Sequence, residues 1–205
     1  MKSLDKFSLD LAGCKNELAE FKMLLDTKAS LSERDDILPF FKSHKHLAAL
    51  IGAYNPKING FDRLGYELDL FGDYSCDLAV GDSASHSFCF VEFEDASPNS
   101  VFTKKKTKAN PEWSARFDHG FSQILDWFKI LEDQKRTPQF KAKFEADSIQ
   151  YVGLLIIGRR HYLDVSQYER LRWRSEAVQV SGKYANCITF DELYQTLDLK
   201  VRLFG

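Results

Sequence analysis

The stretch CDLAVGDSASHSFCFVEFE, residues 76–94, decides the fold. Cys76, Leu78 and Val80 alternate around Asp77, GDSASHS has the chemistry of a hairpin loop, and FCFVEFE resumes an extended run, so two antiparallel strands are expected. Side chains two apart in a strand share a face, which places Glu92 and Glu94 beside Phe88 and Phe90. If the loop holds an even number of residues, for example with Gly81 opposite Phe88, Asp77 falls across from Glu92. Their Cβ atoms would then lie about 4.5 to 5.5 Å apart. Like charges so placed repel and raise one carboxyl pKa unless a cation lies between them. A hard, oxygen-seeking ion, magnesium or manganese, fits that need. The alternative is that Glu92 and Glu94 mark where the strand emerges into water, with Asp77 a polar residue near a turn.

Working upstream, Leu64, Tyr66, Leu68 and Leu70 alternate with polar neighbours and supply a third strand, completing an antiparallel meander. Before it, Leu11, Cys14, Leu18, Phe21 and Leu25 recur at helical spacing over residues 8–26, leaving an apolar stripe that packs internally or joins a second molecule. Ser30 and Glu33 have the spacing of a capping box, with a short helix following to Phe41 and another over residues 44–51. Downstream, Asn110 before Pro111 predicts a helix start, with Trp113, Phe117, Gly120, Ile124, Trp127 and Leu131 at helical spacing. Thr137 before Pro138 predicts another. YVGLLIIG, residues 151–158, is the unbroken apolar run of a central strand covered on both faces. An amphipathic segment over 164–175, strands near Val178 and at 187–189, and a helix at 191–197 complete the chain. The fold class is α/β, of the α+β kind, with a mixed central sheet flanked by helices.

Composition narrows the function. At 205 residues one domain is expected, and no apolar run approaches a membrane span. The start, MKSLDKFSLDLAG, lacks the apolar core of a signal peptide, so a cytoplasmic location is expected. The four cysteines form no CxxC pair and the five histidines are dispersed, which argues against a zinc site and for buried thiols. A net charge of −2 argues against a nonspecific nucleic-acid coat protein but leaves room for local basic patches. Lys104, Lys105, Lys106 and Lys108 form one cluster, and Arg159, Arg160, Arg170, Arg172 and Arg174 another. Each is either a solvated face or a phosphate-contacting surface.

CDLAVGD followed by FVEFED resembles the PD-(D/E)XK nuclease signature, whose fold is restriction-endonuclease-like. The order ERDDILPFF (33–41), ELDLFGDYSCDLAV (67–80), FVEFE (90–94), HGFSQILDWF (119–128), LLIIGRR (154–160) and ITFDELY (188–194) resembles the nuclease domain of the Shedu anti-phage defence family, from about Glu33 to Leu197. A helical lead over about 1–30 precedes it. The resemblance implies that Asp77 and Glu92 hold the metal, that Glu33 approaches the site, and that Gln123 is an active-site glutamine. Arg116, His119 and Gln123 share one sector of their helix and could face a phosphate. Glu33 has the other reading, as the cap partner of Ser30, and Gln123 that of a boundary residue.

One departure matters: the family's usual lysine two residues after the strand glutamate is Glu94 here. Glu94 could accept the proton of a metal-bound water, or a lysine among Lys104–Lys106 could serve. The expected activity is a magnesium- or manganese-dependent DNA endonuclease, with a catalytically inactive module that binds DNA or a protein as the alternative. DNA is the expected partner, contacted by Lys104, Lys105, Lys106, Arg116, Arg159 and Arg160. The resemblance also implies a homo-oligomer, with no membrane partner and no small-molecule cofactor.

Overall fold

The computed structural model describes residues 4–72, 74–105, 107 and 110–204. In chain order these form β1 (Asp5–Lys6), α1 (Leu11–Thr27), α2 (Leu38–Ser43), α3 (Lys45–Leu50), β2 (Arg63–Leu70), β3 (Tyr74–Asp82) and β4 (Ser87–Phe93). There follow β5 (Phe102–Thr103), β6 (Glu112–Trp113), α4 (Ala115–Gln134), α5 (Pro138–Phe144), β7 (Gln150–Ile156), α6 (Val165–Ala177), β8 (Gln179–Val180), β9 (Lys183–Ile188) and α7 (Phe190–Phe204). A π-helical turn, Glu33–Ile37, leads into α2.

The main sheet runs β1-β2-β3-β4-β7-β9-β8. β2, β3 and β4 are the expected antiparallel meander, whereas β4–β7 and β7–β9 pair in parallel, so the sheet is mixed. β7 lies between β4 and β9 and is covered on both faces, as its unbroken apolar run predicts. On one face, α1, α3 and α7 pack through Cys14, Leu18, Phe21, Leu25, Leu47, Leu193 and Leu197. On the other, α4, α5 and α6 pack through Phe117, Ile124, Trp127, Phe140, Phe144 and Leu171. The stripe on α1 is therefore consumed inside the chain, where Leu18 is buried, and is not a free assembly surface. Asp10 caps α1 by accepting from the N–H groups of Ala12 and Gly13. Among the described residues no helix is long and apolar enough to cross a membrane.

Two details carry the site. Gly81 pairs with Phe88, the register expected from an even loop, and the Phe88 ring covers the glycine so closely that a Cβ there would lie 2.4 Å from Cε1. α4 sits hard on the sheet because Gly153 in β7 has no side chain; a Cβ would meet Ile124 Cγ2 at 2.3 Å. The start of α4 differs from expectation. Ser114, not Asn110, is the cap, its Oγ accepting from Phe117 N at 2.9 Å. Pro111 instead leads into β6, where Trp113 stacks between Phe102 and Phe117 with centroids 4.4 and 4.3 Å away. Aromatic packing that spans the hairpin outweighs the local cap signal. The Thr137 cap of α5 is as expected, accepting from Phe140 N.

Candidate active site

The β3–β4 ladder ends at Leu78↔Val91, one step short of Asp77 and Glu92. The Asp77 side chain takes over there: its Oδ2 accepts from Phe93 N at 2.8 Å, standing where a ladder carbonyl would otherwise be. Across Asp77 on the other side, the β2–β3 ladder skips Glu67, with Tyr66↔Leu78 and Leu68↔Cys76 on either side of it. Glu67 is left-handed, with φ of 47°. The strand consequently turns over: Leu64 and Tyr66 join the α1 side of the sheet, Leu68 and Leu70 the α4 side. The regular alternation read from the sequence is thus split between both cores. A non-glycine residue at positive φ costs about 1 to 3 kcal/mol and persists where its surroundings demand it. Glu67 lines a cavity of about 490 Å³ together with Glu33, Lys42 and Asp77.

The second half of the site is an ion-pair cluster. Arg116, on the first turn of α4, places Nη1 2.8 Å from Glu94 Oε2 and 3.6 Å from Glu33 Oε2, while Nη2 lies 3.0 Å from Asp95 Oδ2. Asp95 also accepts from Glu33 N at 2.8 Å, and Leu31 bridges Ala96, so the chain just past β4 ties the π-helical turn to the sheet. Glu94 is nearly inaccessible, and α4 approaches it because residue 120 is glycine: a Cβ there would lie 3.3 Å from Glu94 Oε1. Burial is the largest cause raising the carboxyls of Asp77, Glu92, Glu94 and Glu33, and their mutual repulsion adds to it. Glu94 is pushed up to about 7 even with Arg116 opposing the rise. Among the described residues no ion pair engages Asp77 or Glu92.

Among known proteins, the model of the family described as "Shedu protein SduA, C-terminal" matches residues 30–194. The chain belongs to the Shedu family. That membership suggests a role in anti-phage defence. No curated protein matches the chain.

In this Shedu chain the residues expected at the site divide into three groups. Glu33, Asp77, Glu92, Glu94 and Arg116 come together, each sensing the charge of others in the set. Glu33 is not the cap partner of Ser30; Ser32 caps the π-helical turn, accepting from Asp35 N, which leaves the Glu33 carboxylate to Arg116. Arg116 is exposed along part of its side chain while its terminal nitrogens rest on carboxylates. Gln123 lies two turns along α4, with Oε1 buried and lacking a hydrogen-bond partner, and His119 is exposed yet close enough to lower Glu33.

Of the arginine cluster, Arg159 is buried, Arg160, Arg170 and Arg174 are half-buried, and Arg172 is exposed beside Glu176. Arg159 is buried, its guanidinium held by both Asp191 oxygens and by Lys28 O, so it does not meet the expectation of contacting nucleic acid. Arg160 donates to Leu163 O and lies 4.0 Å over Tyr168, while Arg170 and Arg174 lie over the Phe102, Trp113, Phe117 and Phe121 rings. Lys104 and Lys105 are exposed, the latter paired with Glu112; Lys106 and Lys108 lie outside the described residues. The sequence reasoning missed Asp95 and Glu67. FVEFED carries Asp95 in plain view, but its backbone partner is 62 residues away.

Metal fitness follows from the donor set. Asp77 and Glu92 offer hard carboxylate oxygens, and burial makes their ionised forms costly without a cation. Among the described residues, no three His, Cys, Asp or Glu side chains converge to hold an ion unaided. Magnesium sites of one or two carboxylates completed by water and substrate phosphate match such a set, so the residues fit a two-carboxylate centre.

Proposed function

We propose that this Shedu chain is a divalent-metal-dependent nuclease that hydrolyses DNA phosphodiester bonds in anti-phage defence, with a PD-(D/E)XK-like site. The observation that carries the proposal is the pairing of two carboxyls, Glu92 buried and Asp77 half-buried, whose ionisation is opposed by desolvation and by each other and which no described cation offsets. Asp77 and Glu92 would hold magnesium or manganese, which when bound polarises a phosphoryl oxygen and acidifies a water. Glu94, raised to about 7 beside Arg116, is suited to accept a proton near neutral pH. Gln123 offers an unsatisfied oxygen on the helix that carries Arg116. Lys104 and Lys105, exposed on the connection following β5, would meet a phosphate backbone.

A second reading has its own support. Glu94 stands where the family resemblance places lysine, and its carboxylate is engaged by Arg116. A module that binds metal or DNA without cutting would share those features. Incubating supercoiled plasmid with magnesium, manganese or EDTA separates the two. The proposal expects metal-dependent nicking that is lost in both Asp77→Ala and Glu92→Ala. Nicking undiminished in either variant removes the site, and absence of nicking with retained metal binding supports the second reading.

A further inference from the structure

The Arg116 guanidinium touches three of the site's carboxylates, as no other cation among the described residues does: Glu94 at 2.8 Å, Asp95 at 3.0 Å and Glu33 at 3.6 Å. Its two terminal nitrogens divide the work. Nη1 serves Glu94 and Glu33, the members nearest the Asp77–Glu92 pair, while Nη2 rests on Asp95. Asp95 is itself fixed by Glu33 N, so this second anchor stays in place whether or not Nη1 keeps Glu94. The charge on arginine is permanent at any physiological pH, so the pair opens only by displacement and not by loss of a proton.

From this geometry we infer that Arg116 is a placeholder cation: it neutralises Glu94 and Glu33 in the metal-free site and yields them when a divalent ion enters. The inference rests on the metal reading of the preceding section and adds what competes with the metal. Three acids, Glu33, Glu94 and Asp95, contact this arginine, and two of them, Glu33 and Glu94, are close enough to raise Asp77 and Glu92 in turn. Arg116 relieves the mutual repulsion of these carboxylates in the metal-free site. The same counter-ion repels an arriving dication. Once displaced from Glu94, the guanidinium remains tethered to Asp95 with Nη1 donors free for an anionic ligand.

The test is manganese binding without DNA, read from the electron paramagnetic resonance of free manganese, for wild type, Arg116→Met and Arg116→Lys. Arg116→Met removes the charge but keeps much of the side-chain length, and should bind manganese at least about tenfold more tightly, since a dication and a guanidinium a few ångströms apart repel strongly even at high dielectric. Arg116→Lys keeps the charge and should stay within about threefold of wild type. The Arg116 side chain is 43% exposed, so its loss leaves both cores packed. Should Arg116→Met not fold, Arg116→Gln carries the same comparison. Binding in Arg116→Met with none in wild type also supports the inference. Equal or weaker binding in the neutral variant, or tightening in Arg116→Lys to match Arg116→Met, overturns the inference while leaving the metal reading intact. No binding by any of the proteins overturns both.

Discussion

Replacing Glu94 by glutamine should stabilise the metal-free protein, and only above a definite pH. The Glu94 carboxyl is almost wholly removed from solvent, and burial raises its pKa from 4.5 to about 7 against the opposing pull of Arg116. In the unfolded chain it ionises near 4.5; in the folded chain it holds its proton until about 7. Between those values the folded state binds more protons, so stability falls as pH rises through the window, and the cost is fully present above it. At about 1.4 kcal/mol for each tenfold change in acidity, that cost is on the order of 3 kcal/mol. Glutamine carries no charge to desolvate and can still accept from Arg116. Glu94→Gln should therefore match wild type near pH 4.5 and exceed it by about 3 kcal/mol at pH 8, a rise of roughly 6 to 12 °C in Tm. Urea unfolding in EDTA at a series of pH values, followed by tryptophan fluorescence and circular dichroism, measures the difference. A variant less stable than wild type at pH 8, or a difference that does not change with pH, would refute the reasoning.

Other expectations follow from side chains around the site. Arg159→Ala removes one partner of a buried ion pair and leaves Asp191 uncompensated, so it should lower stability by about 3 to 5 kcal/mol in urea unfolding while DNA affinity of the folded protein stays unchanged. Lys104→Glu should weaken DNA binding and reduce the magnitude of the slope of log affinity against log salt by about 1, measured by fluorescence anisotropy; an unaltered slope excludes that loop from the phosphate contacts. Gly153→Ala drives a methyl group into Ile124 and Phe128, so it should cost about 1 to 3 kcal/mol and lift α4, lowering any metal affinity that depends on Glu94.

The parts of the fold that local chemistry dictates were legible in the sequence. The register of β3 on β4 is the one that an even hairpin loop with Gly81 opposite Phe88 sets, and the central place of β7 follows from a run with no polar face. Glu33, Asp77, Glu92 and Glu94 could be assembled on paper because strand periodicity and a family resemblance agree. What escaped depends on partners far along the chain. Leu64 to Leu70 reads as one alternating face, but the left-handed turn at Glu67 divides it between two cores, and nothing in RLGYELDL marks that point. The Asn110–Pro111 signal was outcompeted by Trp113 stacking between residues on either side of it. Of the arginines that look like a basic patch in one dimension, Arg159, Arg160, Arg170 and Arg174 engage Asp191, backbone carbonyls and aromatic rings in three, and Arg172 alone of the five stays exposed.

The central claim is that Asp77 and Glu92 jointly hold a divalent ion. Calorimetric titration of manganese into wild type, Asp77→Asn and Glu92→Gln at pH 7.5 tests it most directly. The expected result is saturable binding in wild type that weakens by more than about tenfold in each variant, since even the indirect partners of metal ligands are commonly worth that much. Manganese bound equally well by all three proteins would contradict it.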